Sequence, residues 1–91
     1  MGNLTRTEVA KLIRDKLLNG SKLTPKQFDR ILHKHGNHER SRVLEILRCK
    51  WGIPISTDRK GCYSVAESHL RRFADDADDV LSGWKEEAKK N

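Results

Sequence analysis

Apolar positions recur at three- and four-residue spacing through the first fifty residues, then switch to strict alternation. In residues 5–20, Val9, Leu12, Ile13 and Leu17 share one helical face, Thr5 and Glu8 stand in capping-box spacing, and Asn19-Gly20 ends the run. In residues 24–36, Thr24 is an N-cap, Pro25 takes the first helical position and Gln27 completes the box. Phe28, Ile31 and Leu32 form the apolar face of that second helix, and Gly36 stops it. A third helix follows Gly36 and Asn37, with Val43, Leu44, Ile46, Leu47 and the stem of Lys50 facing inward and Gly52 as its stop. The stretch "IPISTDRKGCYSV" then predicts a β-hairpin: Ile53 and Ile55 on one strand, Tyr63 and Val65 on the other, and a polar tip between them. Helical spacing returns at the end. Ser64 and Glu67 have capping-box spacing, and Leu70, Phe73, Ala74, Ala77, Leu81, Trp84 and Ala88 form one stripe, predicting a single amphipathic helix of up to six turns through Lys90.

Composition narrows what these elements can enclose. A chain of 91 residues with 35% hydrophobic content makes one domain of a few helices around a single layer of side chains, which leaves no room for a buried cofactor. No apolar run is long enough to span a bilayer, and "MGNLTRTEVAK" carries charge where a signal peptide needs an apolar stretch. Arg6 occupies the position where acylation at Gly2 requires Ser or Thr. Cys49 and Cys62 form neither a CxxC pair nor a dense framework, so they read as small semi-buried residues of a protein in a reducing compartment.

Charge is unevenly distributed. Residues 1–72 hold sixteen Lys and Arg against seven Asp and Glu, whereas residues 73–91 hold three against six. A basic body with an acidic tail points to a polyanion partner, because neutralising phosphates releases counterions whatever the sequence.

The order helix, "LTPKQFDRIL", turn, "RSRVLEILRCKWGIPI", "STDRKGCYSVAES" resembles the winged helix-turn-helix DNA-binding domains of small bacteriophage and mobile-element proteins. In those domains a recognition helix ends in a Gly-Ile/Tyr-Pro-Ile segment, and a Lys-Gly-Tyr-Tyr type wing leads into a final helix. The resemblance covers about residues 12–67; it departs at Cys62, where an aromatic residue or Gly is frequent, and at "HGNHER", where an Ile-Ser turn is common. It implies a mainly α fold with a small β-hairpin: a three-helix core, a two-stranded wing and a C-terminal amphipathic helix. Residues 1–66 form the body and residues 67–91 the C-terminal helix. The implied partner is double-stranded DNA, in the cytoplasm of a bacterial host, with a role in transcription regulation or in replication or recombination.

On that frame, side-chain chemistry assigns contacts. Asn37, His38, Ser41 and Arg42 lie at the groove-entering end of the third helix; Arg suits the paired acceptors of guanine and Asn the edge of adenine. An ion pair with Glu39 or Glu45 is the competing use of Arg42. Lys26, Arg40 and Arg48 read as phosphate clamps, and Thr57, Arg59 and Lys60 as wing contacts, with Asp58 supplying turn chemistry. The competing use of the hairpin is to cover the core. His33 and His35 point to different helix faces, so no metal site is expected; His35 and His38 could add positive charge near a phosphate at low pH. No catalytic constellation is present, and neither enzyme activity nor a cofactor is expected.

The C-terminal stripe is open to two uses. Leu70, Phe73, Ala77, Leu81 and Trp84 can form a homodimer interface, or the stripe can fold back onto the first helix with Gly83 interrupting it. The acidic tail also supports a different class of function, a phage-encoded module that binds and inhibits a host protein.

Overall fold

The computed structural model describes residues 3–89; Gly2, weighed above for acylation, and Lys90, assigned to the last helix, lie outside them. The chain is mainly helical with one two-stranded antiparallel sheet. Helices α1 (Arg6–Leu18), α2 (Pro25–Lys34) and α3 (Arg40–Glu45) are followed by strands β1 (Ile55–Thr57) and β2 (Tyr63–Val65), then by helices α4 (Glu67–Asp75) and α5 (Ala77–Lys89).

Local chemistry fixes the first two helices at both ends. The Thr5 hydroxyl accepts from the Glu8 N–H at 3.2 Å while the Glu8 carboxylate accepts from the Thr5 N–H at 2.9 Å, and Thr24 with Gln27 repeats the arrangement at 3.1 and 3.0 Å. Those bonds hold the Glu8 carboxyl below its ordinary pKa, the Thr5 backbone N–H contributing most. At the end of α1 the Gly20 N–H reaches the Leu17 carbonyl and the Ser21 N–H the Lys16 carbonyl, with Gly20 at φ 92°, the left-handed closure that only glycine adopts without strain.

Helix α3 has no side-chain cap and continues directly into a π-helical turn (Ile46–Lys50). A π turn winds more slowly than an α-helix, so residues after it drift off the face that a 3.6-residue wheel assigns. Val43, Ile46 and Leu47 are buried as expected, but Lys50 is exposed rather than turned inward, and Cys49 is exposed rather than semi-buried. Trp51 instead lies half-buried beneath the Arg14 guanidinium, 5.5 Å from the ring centre.

The hairpin pairs Ile55 with Val65 and Thr57 with Tyr63. Ile53, expected on the first strand, precedes it and is buried in the core. A third segment joins the sheet: Leu23, just before α2, exchanges both backbone hydrogen bonds with Tyr63 at 2.9 and 2.7 Å. The Tyr63 ring packs on Phe28 with centroids 5.1 Å apart. The core therefore joins Val9, Ile13 and Leu17 of α1, Phe28 and Leu32 of α2, Val43 and Leu47 from α3 and its π turn, and the inner face of the hairpin.

The single C-terminal helix predicted from the stripe is two helices. Asp76 breaks it with non-helical backbone (φ −154°, ψ 83°), and its carboxylate accepts from the Asp79 N–H at 3.3 Å, so an aspartate that reads as helix surface acts as a cap for α5. Gly83 does not interrupt α5. The Ser64–Glu67 box does not form either: Ser64 sits opposite Ser56 in the sheet, and Ala66 is the residue that precedes α4. A continuous helix of about 35 Å would have projected from the body; with the break, the described chain measures 33 × 26 × 25 Å. Helix α5 seats on the end of the π turn, where Val80 and Trp84 enter the core. Gly52 makes that seat possible. It sits at φ 64° with the Trp84 carbonyl so close that a Cβ would overlap it.

Candidate functional site

The hairpin tip is a constrained turn. The Asp58 carbonyl accepts from the Gly61 N–H at 3.0 Å, and one Asp58 carboxylate oxygen accepts from the N–H groups of Lys60 and Cys62, both at 2.9 Å. The other oxygen pairs with the Lys22 ammonium at 2.8 Å. Lys22, followed by the Cys62 and Lys60 N–H groups, brings the Asp58 carboxyl down to about 2 from its ordinary 3.8, and Asp58 in turn raises the Lys22 pKa. Asp58 thus supplies the turn chemistry expected of it. Its pairing with Lys22 was not expected, because nothing local in the sequence links the two.

Gly61 lies against Pro25; a Cβ there would stand 3.3 Å from the proline ring. The contact brings the tip, with exposed Arg59 and Lys60, to the first turn of α2, where Lys26 is also exposed. Three of the residues assigned to phosphate are therefore gathered from two distant stretches of chain. The Leu23 bridge to Tyr63 holds them there together with the Lys22–Asp58 pair. A lone apolar residue between Lys22 and Thr24 in a linker was the available signal for that strand segment.

The turn between α2 and α3 carries two consecutive left-handed residues, Gly36 at φ 123° and Asn37 at φ 56°. Asn37 is exposed, and its side-chain oxygen accepts from Nδ1 of His33 at 2.6 Å. His38 is half-buried and turned into the protein: Nε2 donates to the Leu4 carbonyl at 2.7 Å and to the His35 carbonyl at 3.2 Å, lacing the N-terminal segment to the turn. Ser41 and Arg42 are exposed on the first turn of α3. The Arg42 guanidinium stands 3.7 Å from Glu39, so the competing ion pair is formed, but at 59% side-chain exposure it is a solvent-screened contact that leaves the group accessible.

Two of the cations read as phosphate clamps have partners elsewhere. Arg40 reaches Asp29 at 3.5 Å and ties α3 to α2. Arg48 donates from Nη2 to the Ile55 carbonyl at 3.3 Å and to the Thr57 hydroxyl at 2.9 Å, bridging the π turn to strand β1. Thr57, assigned to the wing contacts, is the acceptor of that bridge.

Of the residues assigned to dimerisation, Trp84 is buried in the chain's own core, edge-to-face with His69 at 6.2 Å. Leu70, Phe73, Ala77 and Leu81 are half-buried, and α4 contributes no fully buried residue.

A cleft of about 300 Å³ is lined by Arg14, Trp51 and Ile53 together with Asp78, Leu81 and Lys85 of α5. Among the described residues no three His, Cys, Asp or Glu side chains converge as metal ligands, and no helix is long and apolar enough to cross a membrane. Compared with known proteins, the chain matches no family model, no curated protein and no solved structure at a significant level.

Proposed function

We propose that this chain is a winged helix-turn-helix protein that binds double-stranded DNA sequence-specifically, as a phage or mobile-element regulator of transcription or accessory factor in replication or recombination. The observation that carries the reading is the Leu23–Tyr63 bridge. It ties the hairpin to the entry of α2, so that helix, strand segment, helix, turn, helix and hairpin follow one another, with a basic tip beside the helical pair. Helix α3 is then the reading helix and the hairpin its wing.

In this reading Arg42, Ser41 and Asn37 face the bases, and Lys26, Arg59 and Lys60 face phosphate. His38 drops to a supporting role, because its ring is spent on two carbonyls. Any homodimer uses α4, through Leu70 and Phe73, since Trp84 is committed to the core.

Selection of bound sequences from a random duplex pool, followed by titration across salt, tests the proposal. Affinity is expected to fall steeply with salt. Arg59→Ala with Lys60→Ala should lower the log–log salt slope by about 2. Arg42→Ala should cost about 1–3 kcal/mol on the selected site and relax preference at one position. An unenriched pool with no salt-dependent binding would sink the proposal. The second reading, a module that binds a host protein, is favoured by a shallow groove of about 590 Å³ between α4 and α5. Asp79, Glu86 and Glu87 line it with Gly83 and Trp84 on the α5 side, and Arg72 lines it from α4. Co-purification of a basic host protein without duplex binding would select that reading.

A further inference from the structure

We propose that Arg48 is a positioning residue that fixes the wing to the reading helix, so that helix and wing meet a duplex as one rigid unit. The inference rests on the duplex-binding reading above and assigns Arg48 a task other than gripping phosphate. Strand β1 is the outer strand of its sheet, because β2 carries Leu23 on its other side. It is three residues long, with Ser56 and Thr57 exposed and only Ile55 half-buried, so burial does little to hold it. An outer strand that short is free to fray unless another element takes up its polar groups.

Arg48 takes them up. One nitrogen of its guanidinium donates to a backbone carbonyl and a hydroxyl two residues apart on β1, at 3.3 and 2.9 Å, from the π turn that ends the α3 segment. The guanidinium projects these donors in a fixed plane, which a lysine ammonium cannot match. The opposite end of the hairpin is held separately, by Lys22 on Asp58 and by Gly61 against Pro25. With both ends fixed, the spacing between Arg42 on α3 and Lys60 on the tip is set before any partner arrives, and preorganisation of that kind removes ordering cost from binding.

The test compares Arg48→Ala with Thr57→Val, which removes the hydroxyl acceptor, the shorter of the two bonds, and leaves every charge in place. Amide hydrogen exchange in the free protein reads the wing, and duplex titration across salt reads the partner. Each variant is expected to speed exchange at Ser56 and Ser64 about tenfold or more. Each should weaken duplex binding about three- to tenfold with the salt slope unchanged, and the double variant should do no worse than Arg48→Ala alone, which already removes both bonds. A salt slope reduced by about one in Arg48→Ala, with exchange unaltered, would make Arg48 a phosphate clamp and overturn the inference. Exchange and affinity both unchanged would overturn it as well. If the wild-type protein fails to bind any duplex, the DNA reading fails first, and the exchange data alone decide whether Arg48 holds the hairpin.

Discussion

The hairpin and helix α5 are both appended to the same three-helix body, but by opposite means. The hairpin's outer strand and tip are held by polar contacts: Arg48 on β1, Lys22 on Asp58, and an Asp58 carboxylate that collects two backbone N–H groups. Helix α5 is held by burial, with Val80 and Trp84 in the core and its backbone pressed against Gly52. Polar attachments at a surface are weak singly and respond to pH and salt, whereas an apolar seat responds to shape. The hairpin is thus the part whose fixings an ionic environment can tune.

Shape changes should do the greater damage. Gly52→Ala forces a left-handed alanine into the Trp84 carbonyl, and is expected to cost about 3 kcal/mol in urea denaturation with little dependence on salt. A cost below about 1 kcal/mol would mean that α5 is not seated on Gly52. On the hairpin side, Thr24→Ala removes the capping box of the helix that lies beneath Gly61. About 1 kcal/mol should be lost in thermal unfolding, with the hairpin retained.

The smallest effect is also the most specific. Asp58 titrates at about 2 in the folded chain, below the ordinary 3.8, so its contribution is complete above the ordinary value and disappears as pH falls toward 2. Exchange at Lys60 and Cys62 should accelerate beyond the intrinsic trend over that interval, before the core unfolds. Asp58→Asn, which keeps an acceptor for the turn but loses the pairing with Lys22, should remove most of the pH dependence. Equal acid sensitivity in the variant would assign the effect to other carboxylates.

Much of the architecture was legible because it depends on neighbours in sequence. Thr5 with Glu8 and Thr24 with Gln27 are three residues apart, and both boxes form; Gly20 and Gly52 close helices where their positions suggested. The same rule misread Ser64 and Glu67, because pairing with Ser56 places Ser64 inside a strand. Asp76 was ambiguous for a related reason: in "ADDADDV" any aspartate can be a helix surface or a cap, and only the packing of Val80 and Trp84 selects one break. At the candidate site, exposure of Ser41, Arg42, Arg59 and Lys60 could be anticipated from the amphipathic pattern. The roles of His38 and Arg48 could not, since most of the groups they bond are main-chain carbonyls that periodicity leaves unmarked, and Leu4 lies 34 residues from His38 in the chain.

The pair of hydrogen bonds between Leu23 and Tyr63 also bears on how the chain reaches this state. They join positions forty residues apart, so making them closes a long loop whose lost chain freedom must be offset by contacts already gained. Helices α1 and α2, whose boxes need only local contacts, and the hairpin, whose partners lie six to ten residues apart, carry no such cost. The expense of closing the chain therefore falls on the one junction that moors the outward-facing flap to the segment before α2.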